Sequence, residues 1–326
     1  MGENLLQPSH FTLGGYFDVG LLKYLCFVLL LCLYLLIIGA NLLLILVICV
    51  NRTLHEPMYL FLLSLFVNEL YGSSSLFPLL LVQVLSDSHT VSAPLCLLQI
   101  FVIYSYGGVE FFTLGIMSYD RYLAICCPLQ YHRRLWSGKA VRLAALCWFI
   151  FFITVSVLVA FLSSLQLCGS VVSKVYCDYH SVVKLSCQDS LPGNMYGLLF
   201  FSVSVSCPLC LIIFTYSRIF RVCFSGSEQS RQKAVATCTP HLASLLNFTC
   251  GATFEVLQSR FNMNSLPSTL RIFLSLYFLT CPPIFNPVMY GLKLSKIRLS
   301  CRNLLSHPRP DSDTPSSKNG SRVRFC

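Results

Sequence analysis

Seven long apolar stretches, separated by short polar segments, dominate the hydropathy pattern of the chain. They cover residues 24–51, 58–85, 88–119, 143–173, 190–217, 234–254 and 272–292. A helix needs roughly 20 apolar residues to cross a bilayer, whereas spanning strands are about 9–11 residues long and alternate in polarity. Since backbone polar groups must pair within the chain inside lipid, the pattern predicts seven membrane-spanning helices.

The segments on either side of these stretches complete the predicted organisation. Residues 1–23 form an N-terminal segment, 24–292 the bundle, and 306–326 a Pro- and Ser-rich tail that we expect to be disordered. In residues 293–305, basic side chains alternate with Leu and Ile, which indicates an amphipathic helix on the membrane surface. Cys301 within it could carry a palmitoyl group or remain a free thiol. The fold class is therefore an all-α membrane protein, a seven-helix bundle plus a short amphipathic cytoplasmic helix.

Composition and charge agree with this class and give an orientation. Hydrophobic residues make up 55% of the chain and charged residues 11%, against about a quarter charged in soluble domains. If the N-terminus is extracellular, only five of the 23 Lys and Arg residues lie outside, which is the arrangement that the positive-inside rule favours. The net charge of +10 then needs no nucleic-acid partner, and the basic C-terminal region meets anionic membrane lipid.

Four motifs follow one another at the ends of predicted spans. They are LHEPMYLFL at 54–62, MSYDRYLAIC at 117–126, KAVATCTPHL at 233–242 and PPIFNPVMYGLK at 282–293. In this order they resemble the odorant receptors, a family of rhodopsin-like G-protein-coupled receptors, over nearly the whole chain. PLQYH at 128–132 resembles fish-type members. The resemblance implies that the protein binds a small odorant in the extracellular half of the bundle and activates a heterotrimeric G protein of the stimulatory, cAMP-raising class.

The third-helix motif implies a switch at the cytoplasmic end. Arg121 is long, permanently charged and forked, so it can pair with Asp120 in a closed bundle and extend across an opened one. Tyr122 completes the motif. The simpler alternative is a charge pair near the membrane surface whose side chains extend to the lipid headgroups and have no switching role.

The seventh-helix motif supplies the second half of this switch. Pro287 removes a backbone hydrogen bond and permits a kink. Asn286 and Tyr290 complete the match, and Tyr290 could then swing inward to meet Tyr216. A proline-kinked span with an interfacial tyrosine is the simpler interpretation.

Two carboxyl groups, Glu69 and Glu110, lie within predicted spans, and the resemblance places both near Asn41 and Asn286. Ionisable groups inside a membrane face the bundle interior. The cluster could hold Na⁺, or the two carboxyls could share a proton because close like charges disfavour each other. Position 69 is usually aspartate in the family, which leaves the sodium site and the proton as open alternatives. No other cofactor is predicted.

Four of the 18 cysteines fall on the extracellular side, where oxidising conditions favour disulfides. The resemblance favours Cys96–Cys177 together with Cys168–Cys187, and Cys96–Cys187 is the alternative.

The resemblance also implies a ligand pocket between the third, fifth, sixth and seventh helices. Its candidate residues are Tyr104, Gly107, Gly108, Phe201, Ser204, Val205, Ala252, Val256 and Arg260. The two adjacent glycines either line the cavity or allow close helix packing. The Arg260 guanidinium could hold a carboxylate, which predicts an acidic or zwitterionic, water-soluble odorant; contact with lipid headgroups or a nearby acid is the alternative.

Other functions are less consistent with the chain. An amine receptor would need an acid near Ile103, and an opsin would need a lysine between residues 272 and 292; the sequence has neither. The absence of internal repeats argues against a transporter. No nucleophile elbow, P-loop or HExxH pattern indicates an enzyme. A rhodopsin-like receptor for a non-olfactory small molecule or lipid stays open.

Overall fold

The computed structural model describes residues 8–16, 20–187, 191–225, 228–260 and 267–306. Seven long helices run through it, followed by one short helix. They are α1 (Leu22–Val50), α2 (Pro57–Leu85), α3 (Ala93–Cys126), α4 (Ser137–Ser163), α5 (Leu191–Ser225), α6 (Glu228–Arg260), α7 (Ser268–Lys293) and α8 (Ser295–Ser306). Short helical turns at Arg52–Leu54, Pro128–Gln130, Tyr131–Arg134 and Tyr179–Val183 lie in the connections.

The long helices form the predicted bundle, with differences at their ends. Within the described residues, α1 to α5 and α7 are long and apolar enough to cross a membrane. Helix α6 has 33 residues and is longer than the predicted stretch 234–254, because it begins earlier, with the polar sequence EQSRQK, and ends later, at Arg260. Helix α4 ends at Ser163 and not at residue 173. The apolar residues that follow belong to the next loop, where they join a second apolar cluster.

Helix α3 is the central element of the bundle. It packs against α2, α4, α5 and α6, while α1 packs against α2 and α7. Polar side chains such as Asn41, Glu69 and Glu110 are fully buried between the helices, whereas large apolar side chains such as Ile213 and Phe273 point outward. This inside-out pattern is expected of a bundle surrounded by lipid.

A small sheet and the α4–α5 loop (residues 164–187) cover one end of the bundle, and we call this covering the lid and this end the outer end. Strand β1 (His10–Leu13) lies between β2 (Thr90–Ser92), which is antiparallel to it, and β3 (Val171–Val172), which is parallel. Hydropathy did not predict these strands, because segments of two to four residues leave no periodic signal.

Two disulfides fasten the lid. Cys96 at the start of α3 is bonded to Cys177, and Cys168 is bonded to Cys187. These are the two pairs that the resemblance favours, and the alternative Cys96–Cys187 is not formed.

Helix α8 follows α7 at the opposite, inner end. Its Lys296 ammonium lies 2.9 Å from Glu56 Oε1 at the start of α2, which attaches the helix to the bundle. Of the predicted disordered tail, 306–326, Ser306 is instead the last residue of α8, and the residues from 307 onward lie outside the described residues.

Candidate functional site

A cavity of about 80 Å³ opens in the outer half of the bundle, beneath the lid. Helices α3, α5, α6 and α7 and the α4–α5 loop line it. Eight of the nine predicted pocket residues line it: Tyr104, Gly107, Gly108, Phe201, Ser204, Val205, Ala252 and Val256. The ninth, Arg260, has its backbone at the end of α6, but its side chain lies outside the described part of the chain, so acid binding there stays a prediction.

The cavity also has lining residues that the sequence analysis did not assign. Aromatic rings of Phe111, Phe200 and Phe278 form much of its wall, and Tyr176 and Asp178 enter from the loop. The loop residues flank Cys177, and the predicted disulfide of that cysteine to α3 was the signal that could have placed them above the cavity.

The adjacent glycines of α3 serve different purposes. A Cβ on Gly108 would lie 2.1 Å from the ring of Phe151 on α4, so this glycine is required for close helix packing. A Cβ on Gly107 would lie 3.4 Å from Phe278 Cζ, which is ordinary contact distance, so this position faces the cavity.

An ionic cluster joins the lid to α6 at the top of the cavity. Lys174, which is 7% exposed, pairs with Glu255 and lies 3.4 Å from Asp178 Oδ2. The Tyr176 hydroxyl donates to Glu255 Oε1 at 2.6 Å. Burial by itself would raise the pKa of Asp178, but the Lys174 ammonium lowers it, and the net pKa is below the usual value. Both charges of this pair therefore persist at neutral pH.

The predicted buried polar cluster is present below the cavity. Asn286 Nδ2 donates to both Glu69 Oε1 and Glu110 Oε1, the latter at 3.0 Å. The other two carboxyl oxygens accept from Tyr106, at 3.0 Å to Glu69 Oε2, and from Asn68, at 3.0 Å to Glu110 Oε2. Tyr106 and Asn68 were not predicted.

The residue types of this cluster suit Na⁺, and their arrangement also suits a shared proton. The amide oxygens of Asn41, Asn68 and Asn286 have no hydrogen-bond partner among the described residues and are chemically suitable ligands. Every oxygen of Glu69 and Glu110, however, already accepts a protein hydrogen bond, and the two carboxyl groups lie within hydrogen-bonding reach of each other. Such an arrangement fits two carboxyls that share one proton.

Asn41 has a structural role that connects α1 with α7. Pro287 lacks an N–H, so the carbonyl of Pro283 loses the donor it would have in a regular helix. Asn41 Nδ2 donates to this carbonyl at 2.8 Å. The carbonyl that Pro287 leaves without a helical donor is thereby paired from a neighbouring helix.

The predicted switch lies at the inner end. Arg121 Nη2 is 3.6 Å from Asp120 Oδ2, and Asp120 is 1% exposed. The hydroxyl of Tyr131, in the turn after α3, donates to Asp120 Oδ1 at 2.8 Å. We call the Asp120–Arg121 pair the latch; Tyr131 fixes its acid in place. Tyr122 lies beside it, with its ring 6.2 Å from that of Phe214 on α5.

Tyr216 contacts a histidine and not Tyr290. Its hydroxyl is 2.7 Å from His241 Nδ1, and His241 Nε2 is 2.9 Å from the Leu114 carbonyl. Because that carbonyl can only accept, Nε2 carries the proton and Nδ1 accepts from Tyr216. His241 thus joins α3, α5 and α6. The Tyr290 hydroxyl has no hydrogen-bond partner among the described residues, and its ring packs edge-on against Phe66.

The comparisons with known proteins agree with one another. A family model described as "Olfactory receptor" matches residues 30–307. Human olfactory receptor 14A2 is 32% identical over 307 residues, which cover 93% of this chain and 96% of the relative. Human olfactory receptor 10A6 is 31% identical over 304 residues, again 93% and 96%. The chain therefore belongs to the olfactory receptor family of G-protein-coupled receptors and is a multi-pass membrane protein.

Proposed function

We propose that a small odorant binds in the cavity beneath the lid and shifts the bundle from a closed to an open form, whose inner face activates a stimulatory G protein and raises cAMP. A ligand can shift such an equilibrium only by binding the two forms with different affinity. The proposal includes an extracellular N-terminus and a cytoplasmic C-terminus.

One observation carries the proposal: three of the helices that line the cavity are also held together in the inner half of the bundle. Helices α3, α5 and α6 supply most of the cavity wall, and His241 joins the same three helices in the inner half of the bundle. A ligand that changes their spacing at the outer end therefore acts on the contact that keeps the inner end closed.

The latch belongs to this closed form. Asp120 is held by Tyr131 while it faces Arg121. Separation of α6 from α3 would break the His241 contact and open room into which the Arg121 guanidinium can extend. Pairing of the arginine with a G protein then replaces its pairing with Asp120.

The experiment is a cAMP readout in heterologous cells. The panel contains amino acids, carboxylic acids, bile acids, aldehydes and amines, tested at matched surface expression. We expect at least one class to raise cAMP and Arg121→Gln to abolish that response. Arg218→Gln is the matched control, because Arg218 is an exposed arginine of α5 that stacks on Phe214.

Full responses in cells that carry Arg121→Gln would contradict the role of the latch. Orientation is tested with epitope tags: the N-terminal tag should be accessible on intact cells and the C-terminal tag only after permeabilisation. Both tags on one face would contradict the proposed topology.

A further inference from the structure

The upper wall of the cavity carries an excess of negative charge. Among the described residues that line it, the charged ones are Asp178 and Glu255, and both are acids. Lys174 pairs with both of them. One ammonium, that of Lys174, therefore faces two carboxylates, and His180 also lines this wall beside Asp178. Lys174 and the two acids together carry one more negative than positive charge.

Each carboxylate also has a buried oxygen with no hydrogen-bond partner among the described residues. Glu255 Oε1 accepts from both Lys174 and Tyr176, whereas the buried Oε2 has no hydrogen-bond partner. Asp178 Oδ2 faces Lys174 and the carboxylate is also stabilised by the Ser181 hydroxyl, whereas the buried Oδ1 has no hydrogen-bond partner among the described residues. Leaving such oxygens unpaired in a buried site is unfavourable. A ligand cation that reaches them would both donate hydrogen bonds to these oxygens and offset the excess of carboxylates.

The remaining wall is apolar and limits the size of a ligand. Ile103, Phe111, Val205 and Phe278 lie on it, and the cavity measures about 80 Å³. Since one water-sized group needs roughly 10–15 Å³ of such space, the cavity holds about five to eight non-hydrogen atoms. A short alkyl or branched-alkyl chain fits both the volume and the apolar lining.

We propose that the ligand of this cavity is a small primary ammonium compound, whose charged head contacts Glu255 Oε2 and Asp178 Oδ1 and whose apolar part lies against the aromatic wall. This inference rests on the proposed function of the same cavity. The sequence argument against an amine ligand required an acid near Ile103. The structure supplies two acids to the cavity that Ile103 lines, from α6 and from the loop.

The same contacts explain how such a ligand can act on the bundle. Asp178 belongs to the lid and Glu255 to α6, so one ammonium group bridges the two. Helix α6 continues from Glu255 to His241, which is the contact that joins α3, α5 and α6. A ligand that contacts Glu255 can therefore shift the position of α6, the helix that carries His241.

The test compares three ligands of equal chain length: pentylamine, pentan-1-ol and pentanoic acid. Binding is measured as thermal stabilisation of the full-length receptor purified in nanodiscs at neutral pH, and signalling as cAMP in cells. Charge-assisted hydrogen bonds are about twice as strong as neutral ones, so we expect pentylamine to bind about tenfold or more tightly than the alcohol, and the acid to bind least.

Variants of Glu255 separate charge from shape. Glu255→Gln keeps the size of the side chain, and we expect it to weaken pentylamine about tenfold or more but pentan-1-ol by less than about threefold. Glu255→Asp keeps the charge and should retain a preference for the amine. Asp87→Asn is the matched control, because this exposed acid at the outer end pairs with Lys23 away from the cavity. It should leave all three ligands unaffected.

Three results would overturn the inference: tighter binding of pentanoic acid than of pentylamine, an equal loss of all ligands in Glu255→Gln, or no stabilisation of the wild-type receptor by any amine from propylamine to octylamine. Amines that stabilise the purified receptor without raising cAMP would support this inference and refute the proposed signalling. A cAMP response to acids or alcohols alone would support the signalling and refute the amine.

Discussion

The hydrogen bond from Asn41 to the Pro283 carbonyl provides a quantitative test of how α7 tolerates its prolines. Asn41→Leu keeps a similar side-chain size but removes the donor, so a buried carbonyl that Pro287 already deprives of its helical partner is left unpaired. An unpaired buried group costs about 1–3 kcal/mol, while hydrogen bonds between membrane helices average about 0.6 and reach about 1.7 kcal/mol. We therefore expect a loss of about 1–2 kcal/mol.

Thermal unfolding of the purified receptor measures this loss. A destabilisation of 1 kcal/mol lowers Tm by about 2–4 °C in chains of a few hundred residues, so Asn41→Leu should lower Tm by about 2–8 °C. Pro287→Ala restores the missing N–H, and in that background Asn41→Leu should cost about 1 kcal/mol less. Asn51→Leu is the control, because Asn51 Nδ2 bonds only the Val47 carbonyl of its own helix. Effects of Asn41→Leu and Pro287→Ala that add within about 0.5 kcal/mol would refute the reasoning.

Three further predictions concern packing, the lid and the buried acids. Gly108→Ala should destabilise the receptor by about 1–3 kcal/mol through overpacking, while Gly107→Ala should be neutral or stabilising by up to about 1 kcal/mol, because alanine favours helix; thermal unfolding compares the pair. Cys96→Ser opens a bridge across 81 residues and Cys168→Ser one across 19, so the loop-entropy model predicts losses of about 4–5 and 3 kcal/mol and a larger fall in surface expression for the first. Exchange of Na⁺ for N-methylglucamine at constant ionic strength should change Tm by less than about 1 °C, since a shared proton needs no cation. The variant Glu110→Gln should remain folded for the same reason. A clear rise in Tm with Na⁺ would instead show that the ion binds the folded receptor.

The helices of the bundle could be predicted because segments that cross lipid are longer and more uniformly apolar than the helices and strands of soluble proteins. Their ends were less predictable. The apolar residues Leu165, Leu167 and Val172 continue the pattern of α4, yet they belong to the lid and pack in its apolar cluster. Hydropathy reports only that a side chain avoids water, so it cannot distinguish this environment from lipid.

The candidate site was predictable where helical periodicity applies and unpredictable where long-range contacts decide. Positions such as Tyr104 and Val256 follow from the face that a helix turns inward. Lys174 and Glu255 are 81 residues apart, and no local pattern connects them. His241 and Tyr131 lie within the motifs that carried the resemblance, but their partners became clear only from the packing of α3 and α5 around them.

Phe248 of α6 lies between the wall of the cavity and the buried acids. Its ring centroid is 4.8 Å from that of Phe111 and 5.2 Å from that of Phe278, which both line the cavity. On its other side it lies 6.0 Å from Tyr106, whose hydroxyl donates to Glu69. Phe278 also contacts Tyr106 directly, with ring centroids 5.8 Å apart. Two routes therefore connect a bound ligand with the acid pair, and among the described aromatic contacts Phe248 is the member that belongs to neither site.

We expect Phe248→Leu to weaken this coupling and leave ligand binding nearly intact. Mutations along such a series change coupling by about 0.5–2 kcal/mol, which is about 2–30-fold in the ratio of EC50 to Kd. Kd comes from thermal stabilisation of the purified receptor, EC50 from cAMP at matched surface expression, and the control is Phe273→Leu, a ring of α7 that is 64% exposed. If the Phe248 ring only fills space, Phe248→Leu would raise EC50 and Kd by the same factor. The variant would then weaken ligand binding without changing how binding is connected to the acid pair, and this result would contradict the prediction.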